Sequence, residues 1–122
     1  KTAYEIPKRD WSSDVCSSDL VSVPELDVGS SHWLFTILVS SPAAFEEFMR
    51  RRGIAVSQVH ARNDIYQCFK GSDVGGLPGV DHFASHQVSI PCGWWLSETD
   101  LKSVISSVSE WSKSSEARWS SE

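Results

Sequence analysis

Residues 53–96 read GIAVSQVHARNDIYQCFKGSDVGGLPGVDHFASHQVSIPCGWWL and decide the fold that the rest of the chain adopts. Most residues of this stretch whose side chains could take part in binding or catalysis fall in three clusters: VHARND at 59–64, LPGVDHF at 77–83 and IPCGWWL at 90–96. Each cluster stands at a junction between predicted elements. Polar groups at the end of a strand commonly form binding loops, so the first cluster is the main candidate for a site.

Upstream of this stretch, the pattern predicts a strand followed by a helix. Residues 33–39 (WLFTILV) are rich in aromatic and β-branched side chains and are apolar on both faces, which favours a central strand covered on both sides. Ser41 and Pro42 predict a helix start in which the hydroxyl caps free amides. Gly53 predicts the left-handed end of that helix. Its apolar stripe consists of Phe45, Phe48 and Met49.

Downstream, the pattern predicts two further strands with a short helix between them. Residues 54–59 (IAVSQV) are interpreted as the next strand, which carries His60 to the end of a sheet. Pro78 begins a short helix that runs toward His86. Residues 88–90 form a third strand that Pro91 ends. A single buried turn is expected from Ile65, Tyr66 and Phe69.

The last helix has the clearest local signature. Ser97 and Asp100 are spaced as a capping box, and Leu96 can meet Leu101 as a hydrophobic staple. One face of this helix carries Leu101, Val104, Ile105, Val108 and Trp111. The predicted fold is therefore α/β (α+β), a small sandwich of about three strands in mixed or antiparallel pairing, with helices packed on the sheet.

The two ends of the chain are expected to lie outside this domain. Residues 1–20 resemble the translation of a sequencing adapter and are excluded from fold reasoning, the alternative being a genuine disordered leader. Residues 21–30 contain Pro24 and Gly29 and are interpreted as a linker. The domain spans 31–112, and the serine-rich segment 113–122 is expected to fray.

Charge and composition exclude several classes of protein. The 122 residues carry 11 basic and 16 acidic side chains, and without the three basic and four acidic ones of residues 1–20 the net charge is −4. A nucleic-acid partner needs clustered positive charge, so this net negative charge argues against one. The basic run 50–52 is interpreted as a helix end, with an anion site as the alternative. The apolar runs are too short to span a membrane. Cys68 and Cys92 are far apart, which favours a reduced, cytoplasmic setting.

Several short motifs occur in a fixed order along residues 53–100. These are Gly53-Ile54, Val59-His60, Phe69, Leu77-Pro78-Gly79, Ile90-Pro91 and Leu96-Ser97-x-x-Asp100. In this order they resemble the C-terminal small domain of the DegT/DnrJ/StrS family of pyridoxal-phosphate-dependent sugar aminotransferases. The resemblance runs from about Ser31 to Trp111, and the motifs are specific as a set rather than singly.

The resemblance implies that the chain is a fragment of a homodimeric enzyme whose N-terminal large domain is missing. The intact enzyme would hold pyridoxal phosphate on a lysine of that large domain and transfer an amino group from a donor such as glutamate to a keto-sugar nucleotide. The fragment alone would be inactive. On this basis no residue of the chain is assigned a catalytic, cofactor-binding or metal-binding role.

A substrate-binding role is carried over for His60, Arg62 and Asn63. In the family, the loop with the matching histidine borders the pocket for the sugar nucleotide. A guanidinium suits phosphate or carboxylate, and imidazole and amide groups suit sugar hydroxyls. The alternative is that Asp64 pairs with Arg62 while His60 caps a turn. The segment 61–63 also departs from the family, many of whose members have an aromatic residue and a proline there.

The other candidates receive simpler interpretations. His82 and His86 lie four apart on a helix, but a third metal ligand is missing from the pattern. Lys70 is interpreted as a solvated loop residue, and a cysteine nucleophile paired with His60 lacks an orienting partner. Burial in the core or at a domain interface is expected for Trp94 and Trp95. The rival functions are a free-standing α/β binding or interaction module and, more weakly, a small metal-dependent enzyme.

Overall fold

The structure is a computed structural model that describes residues 21–23, 33–69 and 76–114. The adapter-like segment 1–20, Lys70 and the end of the tail, 115–122, lie outside these ranges, as does most of the predicted linker. The expectations for those segments therefore stay predictions.

Three strands and three helices form the described part of the chain. The strands are β1 (Val21–Ser22), β2 (Phe35–Val39) and β3 (Gln87–Ile90). The helices are α1 (Pro42–Arg50), α2 (Pro78–His86) and α3 (Glu98–Lys113), and a 3₁₀ turn covers Gln67–Phe69. The strand order is β1-β2-β3, and both pairs are antiparallel. This confirms the predicted fold class and the central position of the strand after Trp33.

The register of β2 and β3 separates the two faces of the sheet. Ile37 lies opposite Val88, and Leu38 lies opposite Gln87. Successive side chains of a strand point to opposite faces. Ile37 and Val88 therefore face one way, into the core, whereas the side chain of Gln87 projects from the other face.

The core lies between the first of these faces and the helices α1 and α3. Trp111 of α3 is completely buried and meets Phe45 and Phe48 of α1 edge to face, at centroid distances of 5.4 and 5.1 Å. The cluster contains Val21, Ile37, Val39, Phe45, Met49, Ile54, Val56, Val88, Ile90, Val104, Val108 and Trp111. Every helical stripe that the sequence predicted thus contributes to it.

The predicted strand over residues 54–59 is wrong. Only Ser57 pairs with the sheet, in an isolated bridge where the Ser57 and Ser89 amides each donate to the other's carbonyl at 3.3 and 2.8 Å. Ile54 and Val56 are buried against the core, so the alternating pattern reflects packing rather than a strand ladder. The outer strand on the opposite edge is instead β1, within the segment predicted as a linker, where Val21 pairs with Val39.

Two smaller expectations also need correction. Ile65, Tyr66 and Phe69 do not form a buried turn, since these residues are 60%, 50% and 51% exposed, respectively. Their spacing mimics a helical stripe, but the only regular element of this segment is the short 3₁₀ turn at Gln67–Phe69, which has no buried residue. At the start of α1, Ser41 occupies the cap position without a side-chain capping hydrogen bond.

The C-terminal end of α1 agrees with the predictions made from the sequence. Gly53 has a φ of 72°, the left-handed conformation that ends a helix. Arg50 and Arg51 both bind the Glu47 carboxylate, and Arg52 pairs with Glu110 of α3 at 2.7 Å. The Arg52 guanidinium also stacks 3.6 Å from the centre of the Phe48 ring. The basic run therefore closes the helix, and its guanidinium groups already have acidic partners.

The start of α3 carries the predicted capping box, and it yields a testable expectation. The Ser97 hydroxyl accepts a hydrogen bond from the Asp100 amide at 3.1 Å, and the Asp100 carboxylate accepts one from the Ser97 amide at 3.0 Å. Loss of such a cap costs about 0.5–2 kcal/mol. Ser97→Ala should lower the free energy of unfolding in urea by about that amount. Ser41→Ala is the matched control and should change it by only a few tenths of a kcal/mol, because that hydroxyl makes no capping bond. Equal losses would contradict the assignment.

Within the described ranges, no helix has the length and apolar character that crossing a membrane requires.

Candidate functional site

A cavity of about 500 Å³ opens beside the predicted polar loop. It lies between the segment that follows the bridge at Ser57, the 3₁₀ turn, α2 and the first residue of β3. Its lining consists of His60, Ala61, Arg62, Asn63, Asp64, Phe69, Leu77, Val80, Phe83, Ala84 and Gln87. The three predicted substrate-binding residues, His60, Arg62 and Asn63, all belong to this set, so the fold brings them to one concave surface.

The Arg62 guanidinium is held by two carboxylates. Its Nε donates to Asp64 Oδ1 at 2.9 Å and its Nη2 donates to Asp64 Oδ2, which makes a bidentate pair. Its Nη1 donates to the Asp81 carboxylate of α2. The pairing of Arg62 with Asp64 is the one that the alternative interpretation of this loop predicted. The added contact to Asp81 ties the polar loop to α2.

The charge of this cluster follows from the same contacts. The hydrogen bonds that Arg62 donates to Asp64 hold the pKa of the Asp64 carboxyl below its usual range, and its hydrogen bonds to Asp64 and Asp81 raise the pKa of Arg62. One guanidinium thus faces two carboxylates, for a formal net charge of −1. A phosphate would have to compete with two carboxylates for the same donor fork, so this part of the cavity disfavours anions.

Gln87 is a lining residue that the sequence analysis missed. Its Nε2 donates to the backbone carbonyl of His60, which fixes the polar loop to β3. Gln87 is only 1% exposed, and among the described residues its Oε1 has no hydrogen-bond partner. A glutamine at the start of a short apolar strand was the one available signal, because such a residue must bury a polar amide.

His60 and Asn63 present their side chains differently from Arg62. Both residues are exposed, whereas Arg62 is half-buried. The Asn63 carbonyl accepts the Tyr66 amide at 3.1 Å, which turns the chain toward Phe69. The imidazole and amide therefore lie at the edge of the cavity, where a ligand can reach them.

The two histidines of α2 form a pair without a third metal ligand. Their ring centres are 4.4 Å apart, and His86 Nδ1 lies 2.7 Å from the His82 carbonyl and 2.9 Å from the Ser85 hydroxyl. In the ranges that the structure covers, no group of three His, Cys, Asp or Glu side chains is placed to hold a metal ion.

The tryptophan pair after β3 does not lie in the core. Burial in the core was the first of the two predicted positions for this pair, and it is wrong. Trp94 is 75% exposed and Trp95 is 68% exposed, and their rings meet edge to face at 6.0 Å. Trp33, which precedes β2, is also 75% exposed. The second option, burial at a domain interface, stays a prediction.

Neither cysteine supports a nucleophile at the cavity. Cys68 is exposed and Cys92 is half-buried, and no disulfide joins either of them to another described residue. Neither residue lines the cavity beside His60. Burial raises the pKa of the Cys92 thiol, which disfavours the reactive thiolate form.

The cavity does not fit pyridoxal phosphate. That cofactor needs a lysine for covalent attachment and cationic or amide donors for its phosphate. No lining residue is a lysine, and Arg62 is engaged by Asp64 and Asp81. The two described lysines, Lys102 and Lys113, lie on α3 and away from the cavity.

Fold and site together define a small α+β domain with a largely apolar cavity at the edge of its sheet. Comparison with solved structures then matches it to part of several aminotransferases. The sugar aminotransferase CalS13 from Micromonospora echinospora has a TM-score of 0.73 and 31% identity, and the match covers 82% of this chain and 27% of that one.

Two further matches share the fold at lower identity. DesV from S. venezuelae, solved in complex with a ketimine intermediate, has a TM-score of 0.74 and 22% identity over 87% of this chain and 30% of that one. A DegT DnrJ EryC1 StrS aminotransferase from Brucella abortus has a TM-score of 0.73 and 22% identity over 87% and 29%. The chain thus spans less than a third of each of these three structures. No protein-family model and no curated protein matches it.

Proposed function

We propose that this chain is the C-terminal small domain of a pyridoxal-phosphate-dependent sugar aminotransferase of the DegT/DnrJ/StrS type. In the intact enzyme it would contribute to the pocket for a keto-sugar nucleotide, while the catalytic lysine would belong to a large domain outside this chain. The proposal makes the chain alone inactive in transamination.

One observation carries the proposal. The chain shares 31% identity and a TM-score of 0.73 with a sugar aminotransferase, over 82% of its own residues but only 27% of that enzyme. A match that is extensive in this chain and partial in the other is what a domain of a larger enzyme would give. The ordered motifs from Gly53 to Asp100 support the same assignment.

His60 and Asn63 are proposed to contact the substrate directly. Both lie at the edge of the cavity and offer neutral groups that suit sugar hydroxyls. Arg62 borders the substrate, but its bonds to Asp64 and Asp81 make loop positioning its main contribution. The proposed roles follow from the geometry of the loop rather than from the charge of its arginine.

The remaining features of the intact enzyme are also proposals. They comprise bound pyridoxal phosphate, an amino donor such as glutamate, a homodimer and a cytoplasmic location. The ketimine complex of DesV supports the cofactor. The exposed tryptophans, Trp33, Trp94 and Trp95, are proposed to meet the large domain.

The first test is the reading frame upstream of Val21 in the source DNA. The proposal expects it to continue in frame through a large domain that contains a lysine for the cofactor. A start codon close to Val21 would instead favour the rival function, a free-standing binding module in which the tryptophans contact another protein.

The second test is a chimera in which this chain's described domain replaces the matching part of CalS13. We expect sugar transamination by the chimera and none by this chain alone. His60→Ala in the chimera should raise KM for the sugar substrate about tenfold, since one hydrogen bond to substrate corresponds to about 1–1.5 kcal/mol. His82→Ala, an exposed histidine outside the cavity lining, is the matched control and should leave KM unchanged. An unchanged KM in both variants would refute the role of His60.

A further inference from the structure

Gln87 is a buried glutamine whose side-chain amide uses only its donor end. Its Nε2 donates to the backbone carbonyl of His60, 27 residues away in the sequence. Its Oε1 has less than 1 Å² of accessible surface, so neither water nor a ligand in the cavity reaches it, and no described residue donates to it. Within the described ranges the amide thus makes one bond, to the loop that carries the proposed substrate contacts.

This use of a glutamine opposes the stability of the fold. A buried acceptor without a partner keeps the full cost of its desolvation, which an apolar side chain of similar shape would avoid. The bond to His60 returns little net stability, because His60 is an exposed residue whose carbonyl can bind water when the amide is removed. Residues that lower stability in this way are typical of functional sites.

The other side-chain anchors of the loop are open to solvent. Gln58 Nε2 donates to the Ala84 carbonyl of α2 at 3.3 Å, and Arg62 donates to the Asp81 carboxylate. Gln58 is exposed, and the Asp81 side chain is 55% exposed, so water competes for both bonds. Gln87 is only 1% exposed. Of these three anchors, the bond from Gln87 is therefore the one that water does not replace.

The atom that Gln87 holds belongs to His60 itself. A backbone carbonyl fixed by a side chain of β3 fixes the peptide plane, and with it the point from which the imidazole extends to the edge of the cavity. A group that is ordered before its ligand arrives loses less conformational entropy on binding. The bond therefore suits a residue whose work is to preorganise His60.

We propose that Gln87 is a positioning residue of this site: it holds the His60 carbonyl so that the imidazole is in place for the sugar, and the site retains a glutamine there although an apolar residue would suit the fold better. This inference rests on the proposed function for the role of His60, and it adds the residue through which that role is prepared. Loss of the amide should therefore weaken the site without weakening the fold.

The first test uses the 122-residue chain and Gln87→Met, which keeps an unbranched side chain of similar length. The urea midpoint should equal or exceed that of the unmodified chain. The ¹⁵N order parameters of the Ala61, Arg62 and Asn63 amides should fall from about 0.85, typical of rigid backbone, to below about 0.6. Gln58→Met, the same change at an exposed position of the same loop, is the matched control and should leave both measurements unchanged.

A second variant, Gln87→Glu, separates the donated proton from the shape of the side chain. A neutral carboxyl group can donate its O–H to the His60 carbonyl, whereas an ionised one can only accept. Burial raises the pKa of the introduced carboxyl. The loop should therefore be ordered at low pH and lose its order as the pH rises through that raised pKa. The unmodified chain is measured at the same pH values, because His60, Asp64 and Asp81 also line or border the cavity.

The third test returns to the chimera with CalS13. Gln87→Met should raise KM for the sugar substrate about threefold to tenfold, up to the effect expected of His60→Ala, and should leave kcat within about twofold. Because Gln87 acts through His60, the two changes should not add. The double variant should have a KM within about twofold of that of His60→Ala alone.

The inference would be overturned if Gln87→Met kept an ordered loop, if its urea midpoint fell together with the order of the loop, if the Gln87→Glu loop ignored pH, or if the two KM effects multiplied. Should neither variant fold, the unmodified chain decides: a coupling across the hydrogen bond between Gln87 Nε2 and the His60 carbonyl carbon is expected, and its absence would refute the anchor.

Failure of the proposed function is seen separately. An upstream start codon or an inactive chimera would refute membership in an aminotransferase, and the NMR measurements on the 122-residue chain would still decide whether Gln87 orders the loop. An active chimera that is sensitive to His60→Ala, combined with an ordered loop in Gln87→Met, would refute this inference alone.

Discussion

Replacement of Trp111 by alanine is expected to cost about 3–5 kcal/mol of folding free energy, the usual cost of deleting a buried large aromatic side chain. Trp111 is completely buried and is the largest side chain of the core. Its ring meets Phe45 and Phe48 edge to face, so the substitution also removes two aromatic contacts between α1 and α3. A domain of this size has roughly 5–15 kcal/mol in total. The variant should therefore be close to unfolding at 37 °C.

The measurement is urea denaturation followed by far-UV circular dichroism, with Trp94→Ala as the matched control. Trp94 is 75% exposed, so the same substitution there should change the free energy of unfolding by less than about 0.5 kcal/mol. A loss below about 1 kcal/mol for Trp111→Ala, or a comparable loss for both variants, would show that α3 does not pack on α1 through this ring.

Replacement of Ile37 by alanine should have the second largest effect, a loss of about 2–5 kcal/mol. Ile37 has no exposed surface, lies in the central strand and faces Val88 across the antiparallel pair. The strands on either side and the helices above leave little room for the site to collapse, so most of the volume of the deleted atoms should remain as a cavity. The thermal midpoint should fall together with the urea midpoint.

Ile65→Ala is the control for this second expectation, because it deletes the same atoms from a residue that is 60% exposed. Its effect should stay within about 0.5 kcal/mol. The comparison also tests the burial of the 65–69 segment, for which sequence and structure disagree. If Ile65→Ala proved as destabilising as Ile37→Ala, the segment would be part of the core after all.

Local signals in the sequence were sufficient for the elements whose ends depend on nearby residues. Pro42 begins α1 and Gly53 follows its end, because a proline at the first turn and a left-handed glycine act within one turn of chain. The capping box at Ser97 and the apolar stripe of α3 belong to the same class. His60, Arg62 and Asn63 were likewise identified as neighbours, since they are adjacent in sequence and follow a change from apolar to polar residues.

Contacts between distant residues were decided by the tertiary structure alone. The apolar alternation of residues 54–59 suits a strand, but only Ser57 bonds to β3, and Val21–Ser22 supplies the outer strand instead. An apolar pattern in the sequence indicates that a side chain faces the core, but it does not indicate which backbone segment pairs with it. Asp81, 19 residues from Arg62, became its second acidic partner for the same reason.

The sequence by itself determined that this chain forms an α+β domain, with its helices, two of its strands and a polar loop in defined places, because helical period, caps and strand composition are local properties. The tertiary structure decided which residues the cavity contains, that Arg62 is neutralised, that the tryptophan pair is exposed, and that Gln87 presents a buried acceptor. Those features depend on contacts between segments that are distant in sequence. The free energy of such contacts is set by all the residues packed around them.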